Sequence, residues 1–407
     1  MNEKEVSAEE KRAPGKLVAA SLVLSRFAVQ PHGLLIGLLL VDIGITFGVP
    51  VGVAGQIRSV SYVVSVIVAL LMGVLSVRFR HKSLLVTGLL LLSISSVGCA
   101  FAPSFVAMMV LFSIWGVALA MVGPMGLTLV GEYFPREKRA SVIGRIFGGQ
   151  AIAYVVGAPI IGFIAGVGGW RLAFLGFVLP IALFSLLLAV KGVPSTSGSR
   201  QSALVMGDYL AGFKGVFSSI SADACLAGNA LSMASWAAIL TYAASFFRQR
   251  FMVSTGFASI MMLVAALCFF SGSVVGGRFV KKLGRKTVTV LAAFLAGAFT
   301  LAFSNLPDLW LSLVLAFIGS LFAGMRVTAS NSLTLEQVPK FRGTMMSISS
   351  AADNAGSSLG AGIGGAALLL FNYEGMAISL GVMGIAAAVV FQLLAIDPTK
   401  AEMRTGS

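Results

Sequence analysis

Short polar turns cut the chain into apolar runs of about the length a helix needs to cross a bilayer, roughly 20 residues. No other feature constrains the fold as strongly. Twelve such runs can be read, at residues 17–42, 57–77, 84–102, 105–130, 141–165, 171–190, 218–245, 256–277, 287–304, 309–332, 343–370 and 376–396. The chain is 57% hydrophobic and 11% charged over its 407 residues. Soluble domains carry roughly 25% charged residues, so a water-facing surface is excluded. The sequence predicts an all-α integral membrane protein with twelve transmembrane helices.

The cations set the expected orientation. Arg58, Arg171, Arg248 and Arg250 fall on one side of these spans, Arg26, Arg145 and Arg326 fall within them, and the other 22 of the 29 Lys and Arg fall on the opposite side. That bias predicts cytoplasmic termini. Net charge is +14, which in a soluble chain would raise nucleic acid as a partner. Here the clustering of cations between apolar runs points to topology signalling, with the bilayer and not nucleic acid as partner. Cys99, Cys225 and Cys268 lie inside apolar stretches and fit neither a disulfide framework nor a metal site. The expected layout is a tail at 1–16, a bundle at 17–190, a cytoplasmic linker at 191–217, a second bundle at 218–396 and a tail at 397–407. Within the linker, Val205, Tyr209, Phe213 and Val216 recur at the spacing of a surface helix.

The two halves echo one another. "GVLSVRFRHKSLLV" begins at Gly73 and "GRFVKKLGRKTVTV" at Gly277, 204 residues later. "EYFPREKR" from Glu132 and "EQVPKFR" from Glu336 are separated by the same 204 residues, as are Pro135 and Pro339. Six spans, a linker and six spans with matched turns predict two six-helix bundles that rock about a shared site.

These turns resemble the signature of the major facilitator superfamily of secondary transporters. Gly277, Gly284, Arg285 and Lys286 match it in the second half, with Lys281 where an acid is usual; Gly73, Arg78, His81 and Lys82 match in the first, with Val77 and Arg80 replacing the acid and the second glycine. "GWRLAF" from Gly169 resembles the start of the family's sixth span, and "VGAPIIG" from Val156 is similar to the fifth span of the drug/proton antiporter branch. The resemblance implies the major facilitator fold, no cofactor, a proton gradient as driving force, and efflux of small, partly apolar compounds. The arginine that many proton antiporters carry in span four is replaced here by Phe112, so any coupling must use other residues.

A charge retained inside hydrocarbon costs about 2.5–3.5 kcal/mol on insertion scales and marks a functional candidate. Arg26 and Gln30 share a face one turn apart, beside Pro31, which is expected to bend the span. Asp353 and Asn354 sit among small residues near mid-membrane; by a half-chain offset of 203 or 204, Asp353 falls opposite Gln150 or Gly149, and Arg26 opposite Asn229 or Ala230. The expected substrate pathway is Arg26, Gln30, Gln150, Tyr154, Asn229, Trp236, Arg326 and Asn354, with Asp353 as the proton-coupling acid and Arg26 as its neighbouring cation. His32 reads as packing against a neighbouring helix, or as a second candidate for the proton. The expected gating loops comprise Gly73, Arg78, Glu132, Arg139, Gly277, Gly284, Arg285, Glu336 and Arg342, with Glu132–Arg139 and Glu336–Arg342 as ion pairs.

Other function classes fare worse. "GRKT" at Gly284 lacks the glycine spacing of a phosphate loop, and His32 and His81, the only histidines, stand in no acid–histidine grouping that an enzyme would need. The expectation is a monomeric, prokaryotic, multi-pass protein of the cell membrane that carries a small-molecule substrate. Two substrate readings remain open: a partly apolar solute exported with proton coupling, or an organic anion drawn by the embedded arginines and exchanged or taken up.

Overall fold

The computed structural model describes residues 16–194 and 213–398. Among the described residues, ten helical stretches are long and apolar enough to cross a membrane, and two of them run for 56 residues. Each long stretch is broken once. Gly168 and Gly169 depart from helical geometry in the first, and Phe371 and Asn372 in the second. Gly169 has φ 76° and ψ 177°, a conformation essentially reserved for glycine. The apolar runs therefore resolve into twelve crossing segments, two six-helix bundles in all. The first six are α1 (Lys16–Phe47), α2 (Gln56–Arg78), α3 (His81–Ala100), α4 (Phe105–Tyr133), α5 (136–167) and α6 (170–192). The second six are α7 (Ile220–Arg250), α8 (Thr255–Leu283), α9 (Arg285–Phe303), α10 (Leu309–Leu335), α11 (342–370) and α12 (373–394). The expected surface helix of the linker lies outside the described residues up to position 212.

The helices outrun the apolar segments that announced them. α8 was expected to stop at residue 277 and continues to Leu283, with Lys281 and Lys282 in its last turn. The apolar run measures hydrocarbon thickness, whereas the helix goes on into the headgroup layer, where cations suit a C-terminal dipole. The expected bend at Pro31 is also displaced: the non-helical residue of α1 is Leu39, with φ −110° and ψ 21°. Around the proline the helix is held by α4, whose Trp115 indole donates to the Val29 carbonyl at 2.9 Å and covers Gly33.

The halves meet along α1–α7, α2–α11 and α5–α8. We call the end carrying the turns at 79–80, 134–135, 284 and 336–341 the basic end, and the other the distal end. At the distal end the seam is tight. A Cβ on Gly37 would lie 2.1 Å from the Leu240 carbonyl oxygen, and Gly52 and Gly365 face each other's carbonyls at 2.5 and 2.4 Å by the same measure. Ser59 and Ser358 each donate to the other's carbonyl at 2.9 Å. Arg248 of α7 pairs through both terminal nitrogens with the Asp42 carboxylate of α1.

Candidate functional site

A cavity of ≈2810 Å³ lies between the halves and reaches the turns of the basic end, including Arg78, His81 and Glu132. Its first-half wall is built by α1, α2, α4 and α5. Arg26 Nε donates to Gln150 Oε1 at 2.8 Å, and the Tyr154 hydroxyl donates to Gln30 Oε1 at 3.0 Å. Because Arg26 and Gln30 are one turn apart on α1 and Gln150 and Tyr154 one turn apart on α5, the two bonds form parallel rungs. Opposite them, Trp236 of α7 stacks on Phe269 of α8 with centroids 5.1 Å apart. Asn354 of α11 reaches Ser65 of α2 at 3.3 Å. Arg26, Gln30, Gln150, Tyr154, Trp236, Asp353 and Asn354 are thus brought to one cavity.

Two expected pathway residues are not. Asn229 is fully buried inside the second half, donating to Thr334 at 3.2 Å and Ser349 at 3.1 Å. The cause is close packing: Cβ atoms on Gly356 and Gly360 would lie 2.0 and 2.2 Å from the carbonyl oxygens of Ala230 and Ala234, so α7 and α11 touch backbone to backbone. Arg326 is 3% exposed and points into a small void behind Trp236, with Nη2 3.3 Å from Met233 Sδ. It is also the cation whose field reaches Asp353, a place the sequence assigned to Arg26. Asp353 lines the cavity, while its Oδ1 is buried without a hydrogen-bond partner.

Arg58 is a cavity-lining residue that the hydropathy pattern leaves at the membrane edge. It was placed outside the membrane, yet it is 4% exposed and lines the cavity toward its sealed end. Nη1 donates across the seam to the Leu240 carbonyl at 2.7 Å, and Nη2 donates to the Tyr62 hydroxyl at 3.1 Å. The short helix Val51–Ala54 precedes α2 and extends the apolar segment outward. That extension carries Arg58 inside, and the signal was the apolar "VPVGVAG" ahead of it. His32 is sealed in the first half, stacked on Phe112 at 4.9 Å, with Ser95 and Ser96 hydroxyls against its nitrogens at 3.1 and 3.3 Å.

At the basic end the expected Glu132–Arg139 pair is replaced. Glu132 meets His81, whereas Arg139 caps the end of α4 by donating to the carbonyls of Phe134 at 2.8 Å and Gly131 at 2.6 Å. Those carbonyls are the unsatisfied last acceptors at the end of a helix, and a guanidinium satisfies two of them at once. In the second half Arg342 does pair with Glu336 at 2.6 Å, and Arg285 approaches it at 3.8 Å. His81 and Arg285 are 204 residues apart, like their partners Glu132 and Glu336. Gly73 and Gly277 fall in the last two turns of α2 and α8. Gly284 takes φ 89°, but Arg80, at the equivalent turn, takes an ordinary φ of −62°.

The profile of the Major Facilitator Superfamily matches residues 18–267 and 224–407. The chain belongs to that superfamily. It is 27% identical to the uncharacterized MFS-type transporter YceJ of Bacillus subtilis over 73% of this chain and 75% of that protein. It is also 27% identical to the purine ribonucleoside efflux pump NepI of Salmonella typhimurium, over 86% and 87% of the two chains. Among solved structures, a D-xylose-proton symporter superposes with a TM-score of 0.77 at 16% identity, covering 94% of this chain and 98% of that one. The protein is a multi-pass membrane transporter of small solutes, not an enzyme. Among the described residues no cluster of three or more His, Cys, Asp or Glu is placed to hold a metal ion.

Proposed function

We propose that the protein exports a small organic solute by alternating access, coupled to the proton gradient through Asp353. The observation that carries this reading is the cavity between the halves, sealed at the distal end and reaching the basic end, with one deep acid in its wall. Rocking about such a site exposes it to each side in turn. The cation bias supports a cytoplasmic basic end, and on that reading this conformation is ready to load solute from inside the cell. The location is then the cell membrane of a prokaryote with both termini cytoplasmic. The working unit is a monomer that needs no cofactor, its partners being the solute and the bilayer. The named activity of the efflux pump supports the direction.

Asp353 is suited to the proton because a buried acceptor without a partner is retained at a cost, and Arg326 supplies a positive field to work against. Asp353→Asn keeps the shape and cannot ionise. In inside-out vesicles bathed in a solute found by thermal-shift screening, it should bind normally and lose gradient-driven accumulation. Accumulation that follows the gradient as in the parent protein removes Asp353 from the coupling role.

A further inference from the structure

Two guanidiniums, Arg58 buried and Arg26 half-buried, face this cavity with nothing to neutralise them. Among the described residues no carboxylate comes within ion-pair distance of Arg26 or Arg58. Their partners are all neutral: Gln150 for Arg26, and Tyr62 and the Leu240 carbonyl for Arg58. Donors are left over. Arg58 Nε is buried with no acceptor. Arg26 is given room by Gly123, where a Cβ would stand 2.6 Å from Nη1. The two cations are close enough that both act electrostatically on the Tyr154 hydroxyl. The one deep acid in the wall, Asp353, stands on the opposite half with its own cation, Arg326. The binding space therefore holds an excess of positive charge, and burying such charges unpaired is costly unless a ligand completes them.

The remaining surface says what else that ligand carries. Tyr62 meets Trp115 edge to face at 5.6 Å on one wall, and Trp236 lies flat on Phe269 on the other. Met233 and Met262 fill the space nearby. Flat, polarisable walls favour a ring, and a planar guanidinium fork matches a carboxylate with two parallel hydrogen bonds.

We propose that the cavity selects planar organic monoanions, aromatic carboxylates above all, with Arg58 and Arg26 holding the carboxylate and the Tyr62–Trp115 and Trp236–Phe269 walls flanking the ring. This rests on the transport reading above and names its substrate class. It also gives the ligand a route to the seam. Arg58 Nη1 bridges the halves through a neutral carbonyl, and a carboxylate is the stronger acceptor for the same group.

The probes are 1-naphthoate and its neutral isostere 1-naphthamide, titrated calorimetrically into the purified full-length protein. Naphthoate should bind at least tenfold more tightly than the amide. Arg58→Gln and Arg26→Gln, each verified as folded by thermal unfolding, should weaken naphthoate at least tenfold, with Arg58→Lys and Arg26→Lys in between. Equal affinity for acid and amide in the parent protein overturns the proposal without any variant. Unchanged naphthoate affinity in both folded Gln variants overturns it as well. Vesicle flux separates this inference from the reading beneath it. Naphthoate that binds selectively but is not moved by a proton gradient upholds the ligand class and removes the coupling. A neutral solute driven by the gradient in a protein that ignores naphthoate does the reverse.

Discussion

Asp42 and Arg248 form the cross-half ion pair at the distal end, and breaking it should release the seal. Both Asp42 oxygens are engaged, Oδ1 at 2.9 Å from Nη2 and Oδ2 with Nη1. Side-chain exposure is 13% for Arg248 and 32% for Asp42, so water screens the pair only in part. A hydrogen bond to a charged group contributes about 1.5–3 kcal/mol when buried, and exposed ion pairs contribute about 0–1 kcal/mol. A bidentate pair between those limits is worth about 1–2 kcal/mol. Since about 1.4 kcal/mol is a factor of ten, Asp42→Asn should raise the distal-open population roughly tenfold; a resting population of ~1% would become ~10%. Spin labels on Ile45→Cys and Arg250→Cys, both exposed near the distal end, with Cys99, Cys225 and Cys268 replaced, would report the change. Pulsed EPR should show a longer-distance component growing in Asp42→Asn and, to the same extent, in Arg248→Gln. The double variant should add little to either single one. Identical distance distributions in the parent and all three variants would refute the claim that this pair holds the seal.

The same labels should respond to Gly37→Ala, whose new methyl carbon would meet the Leu240 oxygen at 2.1 Å; the seam cannot close on it, and the long component should dominate. Gly284→Ala should lower the thermal midpoint, because φ 89° and ψ 156° cost a residue with a side chain about 1–3 kcal/mol. Arg80→Ala, at the equivalent turn with φ −62°, should leave the midpoint unchanged, and equal effects of the two would remove the conformational argument.

How far the sequence could be read depended on which physical signal each feature leaves. Twelve crossings were legible because hydrocarbon thickness fixes the length of an apolar run, even where Gly168–Gly169 and Phe371–Asn372 leave no polar loop between neighbours. Arg26 with Gln30, and Gln150 with Tyr154, were legible as isolated polar residues at one-turn spacing. Depth was the weak point. Arg58 marked the expected start of a span, and the apolar stretch ahead of it, broken by Pro50 and three glycines between 48 and 55, reads as a turn unless its four-residue helix is known. Facing was the other. Asn229 and Arg326 lie at the right depth, but the close approach of α7 to α11 and the packing behind Trp236 turn them away from the cavity. Such rotation is set by helix–helix contacts, which a single span does not encode.

The 204-residue echo also divides the molecule by role. Residues that repeat are at the basic end: Glu132 with Glu336, Pro135 with Pro339, and His81 with Arg285, whose contacts with those glutamates occupy equivalent turns. In the cavity the echo fails. The positions equivalent to Arg26 and Arg58 are Ala230 and Met262, and those equivalent to Asp353 and Arg326 are Gly149 and Val122. Both free guanidiniums thus belong to one half and the acid with its cation to the other. Rocking needs both halves to make and break equivalent contacts, so selection for that motion favours keeping the turns alike. Binding a solute and a proton at one place needs two different surfaces. Once the halves diverged, one could hold the ligand's charge while the other carried the coupling acid. An exchange of roles follows as a test of that division: moving an arginine to Met262 while replacing Arg58 by methionine preserves the charge of the cavity and inverts its sidedness. If charge alone decided binding, 1-naphthoate affinity would survive the exchange. The structure predicts that it falls at least tenfold, because Arg58 is held beside the Tyr62 hydroxyl and the Leu240 carbonyl, and a cation at Met262 of α8 starts from another part of the lining without those partners.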